Sequence, residues 1–190
     1  YKARIKILVK ALGVEEFARQ VEAEFVHLQD GPSTLTQAEI DRVARRFTDP
    51  VLPALPAADA DYDHKLATDA AFARWVGRNV RAHRVPGYAS VVLSLKAHGV
   101  APGDITSEQL ETVADLADRY AFGEARSTHE QNIVLASVRR SDLHPLWQQA
   151  RAAGLATANI GLLTDMIACP GGDFCSLANA KSIPIATAIQ

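Results

Sequence analysis

Pro86-Gly87-Tyr88-Ala89-Ser90-Val91-Val92-Leu93-Ser94-Leu95 is the stretch whose reading decides the fold. Ala89, Val91, Leu93 and Leu95 face one way and Tyr88, Ser90, Val92 and Ser94 the other, the period of two that marks a half-buried strand. Gly99 and Pro102-Gly103-Asp104 form the loop that follows. Thr106-Ser107-Glu108-Gln109 then matches a capping box, in which the Thr hydroxyl and the Gln side chain satisfy orphan amides reciprocally. The helix it starts carries Leu110, Val113, Leu116, Ala117 and Tyr120 on one stripe, and Gly123 closes it. Strand patterns recur over residues 124–127 and 131–138. A second helix is expected over residues 143–153, with Pro145 tolerated in its first turn and Gly154 near its C-cap. Strand, helix, strands, helix in this order predicts an α+β unit, an antiparallel sheet with helices on one face.

Upstream, residues 2–12 read as a helix with Ile5, Leu8 and Leu12 on its stripe and Gly13 at its C-cap. Phe17, Val21 and Phe25, spaced four apart, predict a second, and Glu15 and Glu16 suit its N-terminus. A short helix is expected over residues 36–47. Residues 49–63 hold Pro50, Pro53 and Pro56 and read as an extended linker or surface-hugging loop. Residues 70–80 read as a weak helix with Phe72, Trp75, Val76 and Val80 on one side.

Composition removes several functional classes. Of 190 residues, 48% are hydrophobic and 22% charged, an ordinary globular balance. A formal net charge of -2 supplies no global field for nucleic acid or an anionic membrane. The basic pairs Arg45-Arg46 and Arg139-Arg140 read as solvated faces. No run approaches the ~20 apolar residues of a membrane span, and no stretch has signal-peptide form. Two cysteines are too few for a disulfide scaffold, so a reducing, cytoplasmic setting is expected. The chain opens at Tyr1 in a helical pattern without an initiator Met, which points to a piece of something longer.

The segment richest in chemistry is Ala168-Cys169-Pro170-Gly171-Gly172-Asp173-Phe174-Cys175-Ser176. Two thiols flank five residues in which the glycines let backbone amides curl towards sulfur. Spacing alone leaves two readings open: a metal or cluster ligand pair, or two structural or incidental thiols. Asp173 reads as a loop-turning residue rather than an acid or base.

The longer string, running from Cys169 through Ser176-Leu-Ala-Asn-Ala-Lys-Ser-Ile-Pro-Ile-Ala186, resembles the first cluster-ligand motif of the sirohaem-dependent nitrite/sulfite reductase family. Tyr1-Lys-Ala-Arg-Ile-Lys-Ile-Leu-Val-Lys-Ala-Leu-Gly13 resembles the helix that closes that family's first sirohaem-binding region. Gly123-Glu-Ala-Arg-Ser-Thr-His-Glu-Gln-Asn-Ile-Val-Leu-Ala136 resembles the R-x-T-x-x-Q-N signature of its ferredoxin-like half-domains. Gly154-Leu-Ala-Thr and Gly161-Leu-Leu-Thr-Asp165 fit the approach to the cluster loop. The resemblance implies four parts: residues 1–25 as the end of the preceding sirohaem-binding region, 26–83 as a helical and Pro-rich linker between halves, 84–155 as a ferredoxin-like half-domain, and 156–190 as the start of the iron–sulfur/sirohaem domain.

It further implies that Cys169 and Cys175 are two of four ligands of a 4Fe-4S cluster, the C-x3-C pair that completes the set lying beyond Gln190. The parent is then expected to reduce sulfite to sulfide, or alternatively nitrite to ammonia, with sirohaem as second cofactor and a reductase or ferredoxin as electron donor. The 190-residue piece itself is expected to be inactive and cluster-free, and to carry no catalytic residue. Arg126, Thr128, Gln131 and Asn132 are the candidate cofactor-binding residues, able to hydrogen-bond tetrapyrrole carboxylates or an anion, or else to pin a turn and domain packing. The six histidines are scattered, without ligand spacing, and read mostly as surface groups. Rival readings are a stand-alone ferredoxin-like binding module and a redox-active cysteine pair.

Overall fold

The computed structural model describes residues 4–190, so the expected helix start at Lys2 and the motif residues Tyr1–Ala3 lie outside the described residues. The chain divides into two compact units, residues 1–51 and 52–190. In the first, α1 (Ile5–Leu12) and α2 (Val14–Leu28) share Gly13 as the C-cap of one and the N-cap of the other. α3 (Gln37–Ala44) starts at Thr36, whose hydroxyl accepts from the Glu39 amide. Leu8, Phe17, Val21, Phe25 and Leu28 line an apolar groove between α1 and α2.

The second unit holds the sheet. Residues 60–68, read in part as Pro-rich loop, form α4 (Ala60–Thr68), and α5 (Ala70–Asn79) follows at once. The loop reading fails because Asp59 and Asp69 act as N-caps, accepting backbone amides at 3.0 Å from Tyr62 and from Ala71 and Phe72 respectively. Val80 starts strand β1 (Val80–Ala82) instead of ending the helix. β2 (Tyr88–Leu93), β3 (Arg126–Ser127) and β4 (Ile133–Arg139) complete an antiparallel sheet of order β1-β2-β4-β3. Between them, α6 (Ser107–Tyr120) carries the complete capping box, and α7 (Leu143–Ala152) comes after β4. α8 (Ile183–Ile189) is the last element.

The core gathers Phe72 and Trp75 from α5, Val113 and Leu116 from α6, and Leu143, Leu146 and Trp147 from α7 against Ala89, Val91 and Leu93. β4 does not alternate strictly: Ala89 pairs with Val138 but Val91 with Leu135, so β4 carries one extra residue there. That bulge turns both Leu135 and Val138, three apart, into the core. β2 is buried on both faces rather than half-buried. Tyr88 explains part of this, because its hydroxyl donates to Pro53 O at 2.9 Å and its ring meets His83 and Phe122. The basic pair Arg139-Arg140 is also more than a solvated face: Arg139 lies over Phe122, and Arg140 lies over Tyr62 and donates to Ala57 O at 2.8 Å. Among the described residues no helix is long and apolar enough to cross a membrane.

Leu146 is fully buried, so Leu146→Ala is expected to lower unfolding free energy by about 2–5 kcal/mol. Thr106→Ala, which opens the capping box, is expected to lower it by about 1 kcal/mol. Urea titration reads both as a shifted midpoint at unchanged slope.

Candidate functional site

The end of β2 and the turn between β3 and β4 meet residues 159–168, and nearly all their polar groups are committed to one another. Lys96, just beyond β2, has a fully buried side chain whose ammonium contacts Asp165 Oδ1 at 2.8 Å and donates to Glu130 O. Asn132 Nδ2 donates to the same Asp165 oxygen at 2.9 Å, while Asn132 Oδ1 accepts from the Leu95 amide at 3.1 Å. Asp165 Oδ2 accepts from the Gly161 amide at 2.9 Å. Asn159 completes the knot: it accepts from the Ser94 hydroxyl at 2.7 Å and donates to Lys96 O at 3.0 Å and Thr164 O at 3.2 Å. Burial pushes the Asp165 carboxyl up, but the hydrogen bonds from Lys96, Asn132 and Gly161 outweigh it and hold the group below its ordinary value.

Of the four polar candidates, Gln131 and Asn132 face inward. Gln131 Nε2 donates to Ala168 O at 2.8 Å, and the Ala168 amide donates back to Gln131 Oε1 at 3.0 Å. Thr128 shapes the turn, its hydroxyl accepting from the amides of Glu130 and Asn132 at 3.3 and 3.1 Å. Arg126 stands apart on the surface, held by Glu124 at 2.6 Å. Lys96, Asn159 and Ser94 were missed by sequence reading, since a lysine and a serine in an apolar strand pattern read as its solvent edge. His83, read as a surface group, is half-buried beside Ser137. Its Nδ1 accepts from the Val85 amide at 2.9 Å, so in the neutral ring Nε2 carries the hydrogen and cannot take one from Ser137. No nucleophile dyad results.

Beyond Ala168 the cysteine loop closes on itself. Gly172 donates to Ala180 O at 2.8 Å, and Cys175 donates to Gly171 O at 2.9 Å. Gly171 has φ +61°, and a Cβ on it would stand 2.8 Å from both Ala180 O and Ser182 N, so only glycine fits. Asp173 pairs with Lys181 at 2.9 Å. The one hydroxyl hydrogen of Ser182 has two acceptors in reach, Cys169 O at 3.0 Å and Cys169 Sγ at 3.2 Å.

Both thiols are free and exposed. Hydrogen bonds from the Ser182 hydroxyl and then the Gly171 amide hold the Cys169 thiol below its usual ionisation range. Amides and a hydroxyl turned towards sulfur suit a thiolate ligand, so this half of the loop fits cluster iron in donor chemistry. Among the described residues, no group of three or more His, Cys, Asp or Glu side chains is arranged to hold a metal ion.

Two outcomes follow from these charges. Asp165 stabilises the fold above its unfolded pKa and loses that contribution as pH falls through its lower folded value. Acid titration of stability is therefore expected to show a loss that Lys96→Met blunts, and at neutral pH the same variant is expected to cost about 3–5 kcal/mol by stranding the carboxylate. For Cys169, iodoacetamide alkylation followed by peptide mass is expected to reach half its maximal rate at a pH below that of an ordinary thiol. Ser182→Ala should move that midpoint upward.

Residues 84–153 match the family described as the nitrite/sulfite reductase ferredoxin-like half domain. Sulfite reductase (ferredoxin) 1 of Mycolicibacterium paratuberculosis is 26% identical over 183 residues, covering 95% of this chain and 26% of that protein. The chloroplastic ferredoxin–nitrite reductase of Zea mays is 34% identical over 100 residues, 48% of this chain and 17% of that protein. The ferredoxin–nitrite reductase of Synechococcus elongatus is 31% identical over 95 residues, 48% of this chain and 19% of that protein. The chain thus spans about a quarter or less of the length of these relatives. Residues 84–153, with their antiparallel strands and helices, thus carry the nitrite/sulfite reductase ferredoxin-like half domain, and the chain is similar to reductases of both kinds.

Proposed function

We propose that this chain supplies half of an iron–sulfur site to a reductase that converts sulfite to sulfide, with nitrite reduction to ammonia as the second reading. The observation that carries it is the Cys169–Cys175 loop, with two exposed thiols and with amides and a hydroxyl turned to the first sulfur. Sulfite is placed first because the mycobacterial sulfite reductase relative aligns along 95% of the chain, against 48% for the maize nitrite reductase.

In this reading Cys169 and Cys175 are two thiolate ligands of a four-iron cluster, which when bound would supply electrons one at a time to a sirohaem centre. Ser182 and Gly171 favour the ionised form of the first sulfur, and Asp173 pairs with Lys181 within the same loop. Asn132 and Gln131 spend their side chains on Asp165, Leu95 and Ala168, so direct contact with a cofactor carboxylate falls to the exposed Arg126, steadied by the turn that Thr128 shapes. The chain's own task is orientation and electrostatics, not proton transfer or nucleophilic attack. Ferredoxin, which the relatives' names carry, is the electron source in this reading, with an electron-donor reductase as the other candidate.

Iron and acid-labile sulfide analysis tests this. The 190-residue chain alone is expected to carry no stoichiometric cluster, because two thiolates cannot replace four. The whole reading frame is expected to carry one that Cys169→Ser abolishes. A full-length protein whose iron and sulfide survive Cys169→Ser unchanged would overturn the reading.

A further inference from the structure

We propose that Gln131 is a positioning residue for Cys169, fixing through one side-chain amide the backbone from which the cysteine loop departs. The inference rests on the reading of Cys169 and Cys175 as ligands.

Gln131 sits in the turn between β3 and β4 with φ +57°, a left-handed conformation that glycine and asparagine accept more readily than glutamine. The position therefore keeps a residue its backbone disfavours. The side chain accounts for it. Nε2 donates to Ala168 O at 2.8 Å while Oε1 accepts from Ala168 N at 3.0 Å, the two-bond exchange that pairs residues across an antiparallel ladder. Ala168 N belongs to the peptide plane before it and Ala168 O to the plane that carries Cys169 N. One amide thus pins both planes flanking Ala168. Glutamate could accept but not donate; asparagine is one methylene too short to hold both contacts from the same backbone.

The rotamer is walled in. Gly103, at φ +89°, approaches so closely that a Cβ there would lie 3.0 Å from Gln131 Cβ and 3.2 Å from Cδ. Three residues upstream of Ala168 the chain is anchored again by Asp165, through Lys96 and Asn132. Cys169 therefore leaves a fixed platform on the half-domain, and Ser182 closes the loop from its far side. Preorganising a ligand loop in this way spares metal binding the cost of ordering it.

The test uses the 190-residue chain with Gln131→Asn and Gln131→Gly, both of which suit the left-handed backbone. Hydrogen exchange, thermal melting and titration with Cd2+, read by thiolate charge-transfer absorbance, are measured together. Both variants are expected to melt at or above the wild-type temperature, to exchange the amides of residues 168–175 at least tenfold faster, and to bind Cd2+ at least tenfold more weakly. Unchanged exchange over residues 168–175, an increase shared equally by β2 and β4 with a lowered melting point, or faster exchange with undiminished Cd2+ affinity would each overturn the proposal. If the wild type binds no Cd2+ while loop exchange still accelerates in the variants, the loop-fixing role is supported and the ligand reading is what falls.

Discussion

The buried ammonium of Lys96 is the constraint around which this molecule is arranged. A cation with no exposed side-chain surface must find an anion and hydrogen-bond acceptors, or the fold forfeits its solvation energy. The sheet has no carboxylate to offer at that point. Asp165 supplies it from the segment that Leu155 and Asn159 also fasten to the end of β2, and Glu130 O supplies an acceptor from the β3–β4 turn. Meeting this one charge thereby ties the end of β2, the turn and residues 159–165 into a single knot, and the cysteine loop starts three residues beyond Asp165.

The knot gives the R-x-T-x-x-Q-N signature a physical meaning. Thr128 shapes the turn with its hydroxyl, Gln131 reaches Ala168, and Asn132 bridges β2 to Asp165. Of its four polar residues only Gln131 bonds the backbone beside the cysteine loop, Thr128 and Asn132 hold the turn and its tie to Asp165, and Arg126 keeps an exposed charge.

Much of the architecture was legible from residue pattern. The capping box at Thr106, the stripe of Val113, Leu116 and Ala117 and the run from Tyr88 each encode a local preference strong enough to survive packing. Less legible were features whose cause lies elsewhere in the chain. β1 exists because Val80 finds Val91 to pair with, which no local pattern announces. The β4 bulge breaks the alternation that sequence reading depends on. α4 is short and only its aspartate caps betray it, in a stretch where prolines dominate the pattern.

By itself the sequence determined the α+β order of elements and singled out Cys169 and Cys175 in a glycine-rich loop, because secondary-structure periodicity and thiol spacing are properties of neighbours along the chain. The family resemblance was equally available from contiguous residues. Only the tertiary structure decided what Lys96, Asn132, Asn159 and Asp165 do, since a buried charge is defined by partners that are 33 to 69 residues away in the chain. It also decided that Gln131 spans to Ala168, 37 residues on. A strand-turn glutamine and an alanine beside a cysteine carry no mutual signal until the sheet brings them within hydrogen-bond reach.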